Sequence, residues 1–299
     1  MTGPHGRWAP LWAAALLLAL PGPAAPAPGP AASTGCPDTS PPYRRIVALA
    51  PHLAELAWEA GIGESLVGAV AWTDYPPKAA ELPKVGDAFR VDLEQLLALK
   101  PDLVLGWTSG NPPAALSQVE KFCIPVHRSD PESPAASADL GEELGALGGQ
   151  PAAAKRAAED LRARIADLRQ AHRGATPVSY FYQVAERPLF TIDEHHLIGR
   201  ALALCGGRNV FDDLEGPAVQ VGEEAVVARD PQVLIAPRVD GQPDPLAAWS
   251  RWPRMRAVQS DAMLYLPADA ISRATPRMLD AVEIACTLFD TLRQPASEE

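Results

Sequence analysis

From Arg45 onward, short apolar runs alternate with amphipathic stretches: RIVALA, HLAELAWEAG, LVGAVAW, DLEQLLALK, DLVLGW and IPVHR follow one another along the chain. Apolar runs of strand length separated by helix-period segments predict a mostly parallel sheet, buried on both faces under helices. Over 52–60, Leu53, Leu56, Ala57 and Ala60 recur on one face, and Gly61 can take the left-handed conformation that ends a helix. The same alternation resumes after Thr176 with VSYFYQV, HLIGRALALCGG, EEAVVARD, QVLIAP, MLYLPA and TPRMLDAVEIACTLFDTL. The chain therefore reads as two α/β halves.

Between them lies PAAAKRAAEDLRARIADLRQAHRG, which opens with Pro at a first-turn position and stops at Gly174. Leu161, Ile165 and Leu168 form its apolar stripe. A helix of this length extends on the order of 30 Å, enough to join two lobes, although an ordinary surface helix satisfies the same pattern. The expected organisation is a leader and Pro/Ala-rich segment over 1–32, an α/β lobe over 43–149, a linker helix over 150–174 and a second α/β lobe over 175–295. One stretch is nearly repeated: DLEQLLALKPDLVLGW, residues 92–107, aligns without gaps on GEEAVVARDPQVLIAP, residues 222–237. Glu94 then matches Glu224, Ala98 matches Ala228 and Pro101 matches Pro231. Each copy predicts a helix, a Pro-containing turn and a buried parallel strand whose end points to the carboxyl edge of its sheet. Open α/β folds bind their ligands at that edge, and two such edges facing each other form a cleft.

Composition narrows the function. At 299 residues, with 47% hydrophobic and 21% charged residues, the chain is long enough for two ordinary cores. A net charge of −11 argues against a nucleic-acid partner, which needs a basic surface. The N-terminus places Arg7 before an apolar stretch from Leu11 to Leu20 and then a Pro/Ala-rich run, the pattern of a secretory signal. That stretch is shorter than the roughly 20 residues that span a bilayer. Ser33, where a large aliphatic residue would be required, argues against lipidation of Cys36. Four cysteines in an exported chain point to two disulfides, with three possible pairings.

Catalytic signatures are missing. There is no G-x-S-x-G, DEHHL does not match H-E-x-x-H, and no glycine-rich phosphate loop follows the first strand. His127, His172, His195 and His196 are scattered in a way unlike a metal cluster. His52 stands apart because APHLAE places it where a strand ends and a helix begins. The loops that follow strands carry large rings: Trp72 and Tyr75 in AWTDYPP, Phe89 in GDAFR, Trp107 in GWTSGN and Tyr182 in YFYQV. Rings in Pro- and Gly-rich loops line binding surfaces, and such walls suit a broad, flat, apolar ligand with a hydrogen-bonding rim.

In their order along the chain, RIVALAPHLAELAWEAGIG, WTDYPP, LEQLLALKPDLVLGWTSGN, LCGGRNVF, VVARDPQVLI and SRATPRM resemble the periplasmic cobalamin-binding proteins of bacterial ABC importers, over nearly all of Arg45 to Leu292. The resemblance implies two Rossmann-like lobes bridged by one long helix, with the corrin ring between them as transported ligand and no cofactor. It implies ligand contacts from His52, Trp72, Tyr75, Phe89 and Trp107 in the first lobe and from Tyr182, Gln183, Asp269 and Arg273 in the second. It also implies a disulfide between Cys205 and Cys286, a periplasmic protein that is monomeric when free, and a membrane permease as partner. Some relatives carry tryptophans at the positions of Ala88 and Ala218, a departure that bears on the preferred corrinoid. The alternatives on this scaffold are a haem, siderophore or metal-ion receptor, and a chelatase-like enzyme. A first-turn carboxylate is already favourable through the helix dipole by roughly 0.3–1 kcal/mol. The equivalence of Glu94 and Glu224 adds a second expectation: a transporter with two like subunits presents basic groups twice, so the pair are expected docking residues.

Overall fold

The computed structural model describes residue 36 and residues 40–216 and 218–294. The export signal expected over 1–32 lies outside the described residues. The first half is built on strands β1 (Ile46–Ala48), β2 (Leu66–Ala69), β3 (Leu103–Trp107) and β4 (Val126–Ser129), all parallel, in the order β2-β1-β3-β4. Around them run helices α1 (Pro51–Glu59), α2 (Pro77–Ala80), α3 (Leu93–Ala98), α4 (Pro113–Lys121) and α5 (Pro134–Leu147). Strand alternation sorts the core into two layers. Ile46, Ala48, Leu103 and Leu105 meet Leu53 and Leu56 of α1 and Leu140 and Leu144 of α5. Val47 and Val104 face the other way, onto Leu96 of α3 and Leu116 and Val119 of α4. Burying each such leucine contributes ~1.5–3 kcal/mol, which holds these short helices in place where propensity alone would not.

Helix α6 (Pro151–Ala171) follows, about 30 Å long at 1.5 Å per residue. Its buried side chains, Ala154, Ala158, Leu161 and Ile165, face inward, and Leu161 and Ile165 share a cluster with Ala138, Leu204 and Leu279 from both halves. Arg162 bonds Asp139 and Glu142 of α5, at 2.6 and 3.0 Å. Arg164 reaches the other way, to Asp280 and Glu283 at 2.7 and 2.8 Å. The helix is thus packed against both halves. Gly145 permits its close approach to α5, since a Cβ there would lie 2.1 Å from the Ala154 Cβ.

The second half contains strands β5 (Val178–Tyr182), β6 (Ala185–Glu186), β7 (Leu189–Thr191), β8 (Gly207–Asn209), β9 (Val219–Gln220), β10 (Val233–Arg238) and β11 (Met263–Pro267). Its helices are α7 (Leu197–Leu202), α8 (Glu223–Arg229), α9 (Arg256–Gln259), α10 (Ala268–Ile271) and α11 (Arg277–Arg293). Strands β11-β10-β5-β8 form a second parallel sheet, and β6-β7-β9 an antiparallel one that the sequence patterning did not predict. Val178, Tyr180, Tyr182, Val233 and Ile235 pack on α7 and α11, and Phe181, Leu234 and Ala236 pack on the opposite face with Trp249. A disulfide joins Cys205 to Cys286 of α11, with Cα atoms 5.4 Å apart, and neither Cys36 nor Cys123 is a free thiol.

The near-repeat is a repeat of structure. Helix α3 leads through Lys100 (φ 48°) and Pro101 into β3, and α8 leads through Asp230 (φ 45°) and Pro231 into β10. Leu96 and Val226, at matching positions, are both fully buried.

Candidate functional site

The expected site residues of the first half gather at the carboxyl ends of its strands. His52 opens α1 immediately after β1, and its ring meets Trp107 edge-on at 5.3 Å. Trp107 is the last residue of β3, where it is half-buried, and its Nε1 donates to Asp130 at 3.0 Å. His52 is buried, its Nε2 has no hydrogen-bond partner among the described residues, and burial lowers its pKa to about 4 against a raising influence of Asp130. The imidazole is therefore neutral at pH 7.

Three rings stand out from the loops. Trp72 is 78% exposed, Phe89 69% and Tyr75 37%. Trp72 holds φ 65°, a left-handed conformation unusual for a bulky side chain, and outliers of this kind concentrate at binding sites. Phe89 sits on a tight turn in which Asp87 Oδ1 accepts from the backbone N–H groups of Phe89 and Arg90, both at 2.8 Å.

Asn111 supports this wall. Its Nδ2 donates to the carbonyls of Leu49 and Ala88 at 2.9 and 2.8 Å, and its Oδ1 accepts from Trp107 N at 2.7 Å. One buried side chain thus binds three loops together. The sequence reading missed it; the signal was a polar residue close behind a strand-end tryptophan, in WTSGN.

From the second half, Asp269 and Arg273 face the first. Arg273 Nη1 lies 2.6 Å from Asp74 Oδ1, and its Nη2 donates to the Trp72 carbonyl at 3.0 Å. Burial works against ionisation of Asp269, but a 2.7 Å bond from Arg277 and the nearby Arg273 overcome it, so its carboxyl is held below the usual range. A concavity of about 430 Å³ between the halves is lined by Asp74 on one side and by Arg238, Asp240, Tyr265 and Asp269 on the other. A larger one, about 510 Å³, lies between α6 and α7 and includes none of the expected ligand residues. The smaller is the better candidate, because Asp74 of the loop after β2 and Asp269, which follows β11, both line it.

Two expected residues stand elsewhere. Tyr182 is the last residue of β5 rather than part of a loop, and strand alternation turns it to the same face as Val178 and Tyr180, into the core, 2% exposed. Gln183 is equally buried and its amide is engaged internally: Nε2 donates to the Pro245 carbonyl at 2.6 Å and Oε1 accepts from Trp249 Nε1 at 2.7 Å. Neither presents its side chain to the gap in this arrangement.

Glu94 and Glu224 both lie in the first turns of their helices, exposed and without an ion pair among the described residues. The neighbouring Glu223 is occupied by Arg251 at 2.6 Å. Of the two acids in the first turn of α8, only the one equivalent to Glu94 remains available.

Comparison with known proteins identifies the family. The chain is 38% identical over 250 residues to a vitamin B12-binding protein of Vibrio cholerae, covering 82% of this chain and 89% of the relative. It is 36% identical over 257 residues to one from Pectobacterium carotovorum, with 85% and 91% coverage. Among solved structures, the periplasmic vitamin B12 binding protein BtuF of V. cholerae matches with TM-score 0.77 at 37% identity, over 85% of this chain and 99% of that one. The periplasmic heme-binding protein RhuT from Roseiflexus matches with TM-score 0.74 at 25% identity, over 84% and 99%. The family described as periplasmic binding protein matches residues 46–270, and this chain belongs to that family.

Proposed function

We propose that this chain captures cobalamin in the periplasm, binds it without chemical change and delivers it to the membrane permease of an ABC importer. The observation that carries the reading is the 38% identity to a vitamin B12-binding protein across 89% of that relative's length. The site supports it. Trp72, Phe89 and Trp107 offer a flat aromatic face, while Asp269 and Arg273 offer an ionised acceptor and a donor to the hydrogen-bonding rim of the ligand. Arg273 ties the two elements together through its bond to the Trp72 carbonyl at 3.0 Å, and Asp269 lines the concavity of about 430 Å³.

In this reading, residues 43–149 and 175–295 are the two lobes and 150–174 the linker. A packed helix without an internal proline or bulge resists bending, so lobe movement is small. Residues 1–32 direct export, and Glu94 and Glu224 each meet a basic group on one of two like transporter subunits.

Calorimetric titration of the purified protein with cyanocobalamin, haemin and zinc in parallel tests the reading. Saturable 1:1 binding of cyanocobalamin is expected. Haemin or zinc binding without a cobalamin response would replace it with the haem or metal-ion reading, and turnover of any of the three would make the protein an enzyme.

A further inference from the structure

The gap is bounded by a side-chain network that reaches from one half to the other through a fully buried acid. Glu55 lies on α1 between Leu53 and Leu56, with no solvent exposure. A buried carboxylate is costly unless paired and hydrogen-bonded. Its partner comes from the far end of the sequence: Arg277, the first residue of α11, donates through Nε and Nη2 to the two Glu55 oxygens, each at 2.8 Å. This is the bidentate geometry in which arginine–carboxylate pairs are strongest and most directional. The remaining edge of the same guanidinium donates through Nη1 to Asp269 Oδ2 at 2.7 Å. Its face covers the Tyr75 ring, with Cζ 4.0 Å from the ring centre. Arg273 also approaches Glu55, at 3.7 Å.

One buried acid therefore fixes one arginine, and that arginine touches two groups at once: an aromatic ring of the first half and a carboxylate of the second that lines the concavity. We propose that Glu55 and Arg277 are positioning residues of the ligand site, touching no ligand themselves and holding Tyr75 and Asp269 where a ligand meets them. With Oδ2 held by Arg277, Asp269 keeps its other oxygen for a hydrogen-bond donor on the ligand rim. The inference rests on the proposed binding function only for what that ligand is.

Arg277→Lys distinguishes positioning from general support. Lysine keeps a charge for Glu55, but a single ammonium cannot fork onto two oxygens, reach Asp269 and cover a ring at once. The expected result is a melting temperature within a few degrees of wild type, cyanocobalamin binding weakened about tenfold or more, and faster amide exchange at 72–76 and 268–273 without ligand. In an Asp269→Asn background the same change should weaken binding by less than about threefold, because the group being positioned is already altered. If Arg277→Lys does not fold, Glu55→Gln, which keeps shape and one acceptor, is expected to show the same local rise in exchange. Binding within twofold of wild type with unchanged exchange in those segments overturns the proposal. Should the wild-type protein bind no cyanocobalamin, the functional reading fails, and exchange alone then decides the positioning role.

Discussion

The two halves share a plan of parallel sheet and covering helices, yet they place their aromatic side chains differently. In the first, Trp72, Tyr75 and Phe89 project from loops, 78%, 37% and 69% exposed. In the second, Tyr180, Phe181, Tyr182, Phe211 and Trp249 are all inside, none more than 3% exposed. What the second half lends the concavity is mixed: Arg238, Asp240 and Asp269 beside Val239 and Leu266, with the Arg238 guanidinium 5.0 Å from the centre of the Tyr265 ring. A repeated architecture thus leaves large rings exposed on the loops of one half and keeps the rings named here inside the other.

The contrast can be broken from either side. Tyr182→Ala, on the core side, should lower unfolding free energy by about 3–5 kcal/mol in denaturant titrations, the usual cost of emptying an aromatic site. A loss below about 1 kcal/mol would return that ring to the wall.

His52 sharpens the comparison through pH. Its pKa is lowered from 6.5 to about 4 by burial, so between those values the unfolded chain takes up a proton that the folded chain refuses. The contribution is present above pH 6.5 and is lost as pH falls towards 4, on the order of 3 kcal/mol in all. His52→Gln should flatten the stability profile across that window by about one proton; a variant with an undiminished slope would show that His52 is not the group responsible.

On the exposed wall, Trp72→Ala combined with Phe89→Ala should leave the melting temperature nearly unchanged while cyanocobalamin binding weakens by about 1–3 kcal/mol, the range of aromatic anchors at binding surfaces. Equal losses of stability and binding would make these rings structural. The smallest effect on the isolated protein belongs to Glu94→Lys with Glu224→Lys. Stability should move by less than about 0.5 kcal/mol, as surface changes do, and ligand affinity should not move, while importer-dependent uptake in cells is lost. Uptake that persists at physiological salt would exclude docking through these acids.

Much of the fold was legible because its signals are local. The i, i+3, i+4 recurrence in α1 and the apolar runs of β1 and β3 define elements without reference to the rest of the chain. The repeat was legible because equal burial demands equal patterning, at Leu96 and Val226 alike. Helix α5 was missed: Gly141 and Gly145 lower its propensity, and the reason for Gly145 is close contact with Ala154, which only the packed structure reveals. The small sheet β6-β7-β9 was missed because its strands are two or three residues long.

The site divided along the same line. Loop rings of the first half could be read from Pro- and Gly-rich surroundings. Tyr182 was placed in a loop because YFYQV looks like a strand followed by one, although its spacing from Val178 and Tyr180 already set it on their face. Glu55 and Arg277 escaped because their partnership spans 222 residues; the available hint was a carboxylate set among apolar residues in HLAELAWEA.

A crystal structure of the cyanocobalamin complex would decide where the ligand sits. The corrin is expected between the two carboxyl edges, its face in van der Waals contact with Trp72 or Trp107 and its rim bonded to Asp269 or Arg273. Cobalamin seated in the concavity between α6 and α7, or held by one half alone, would contradict it.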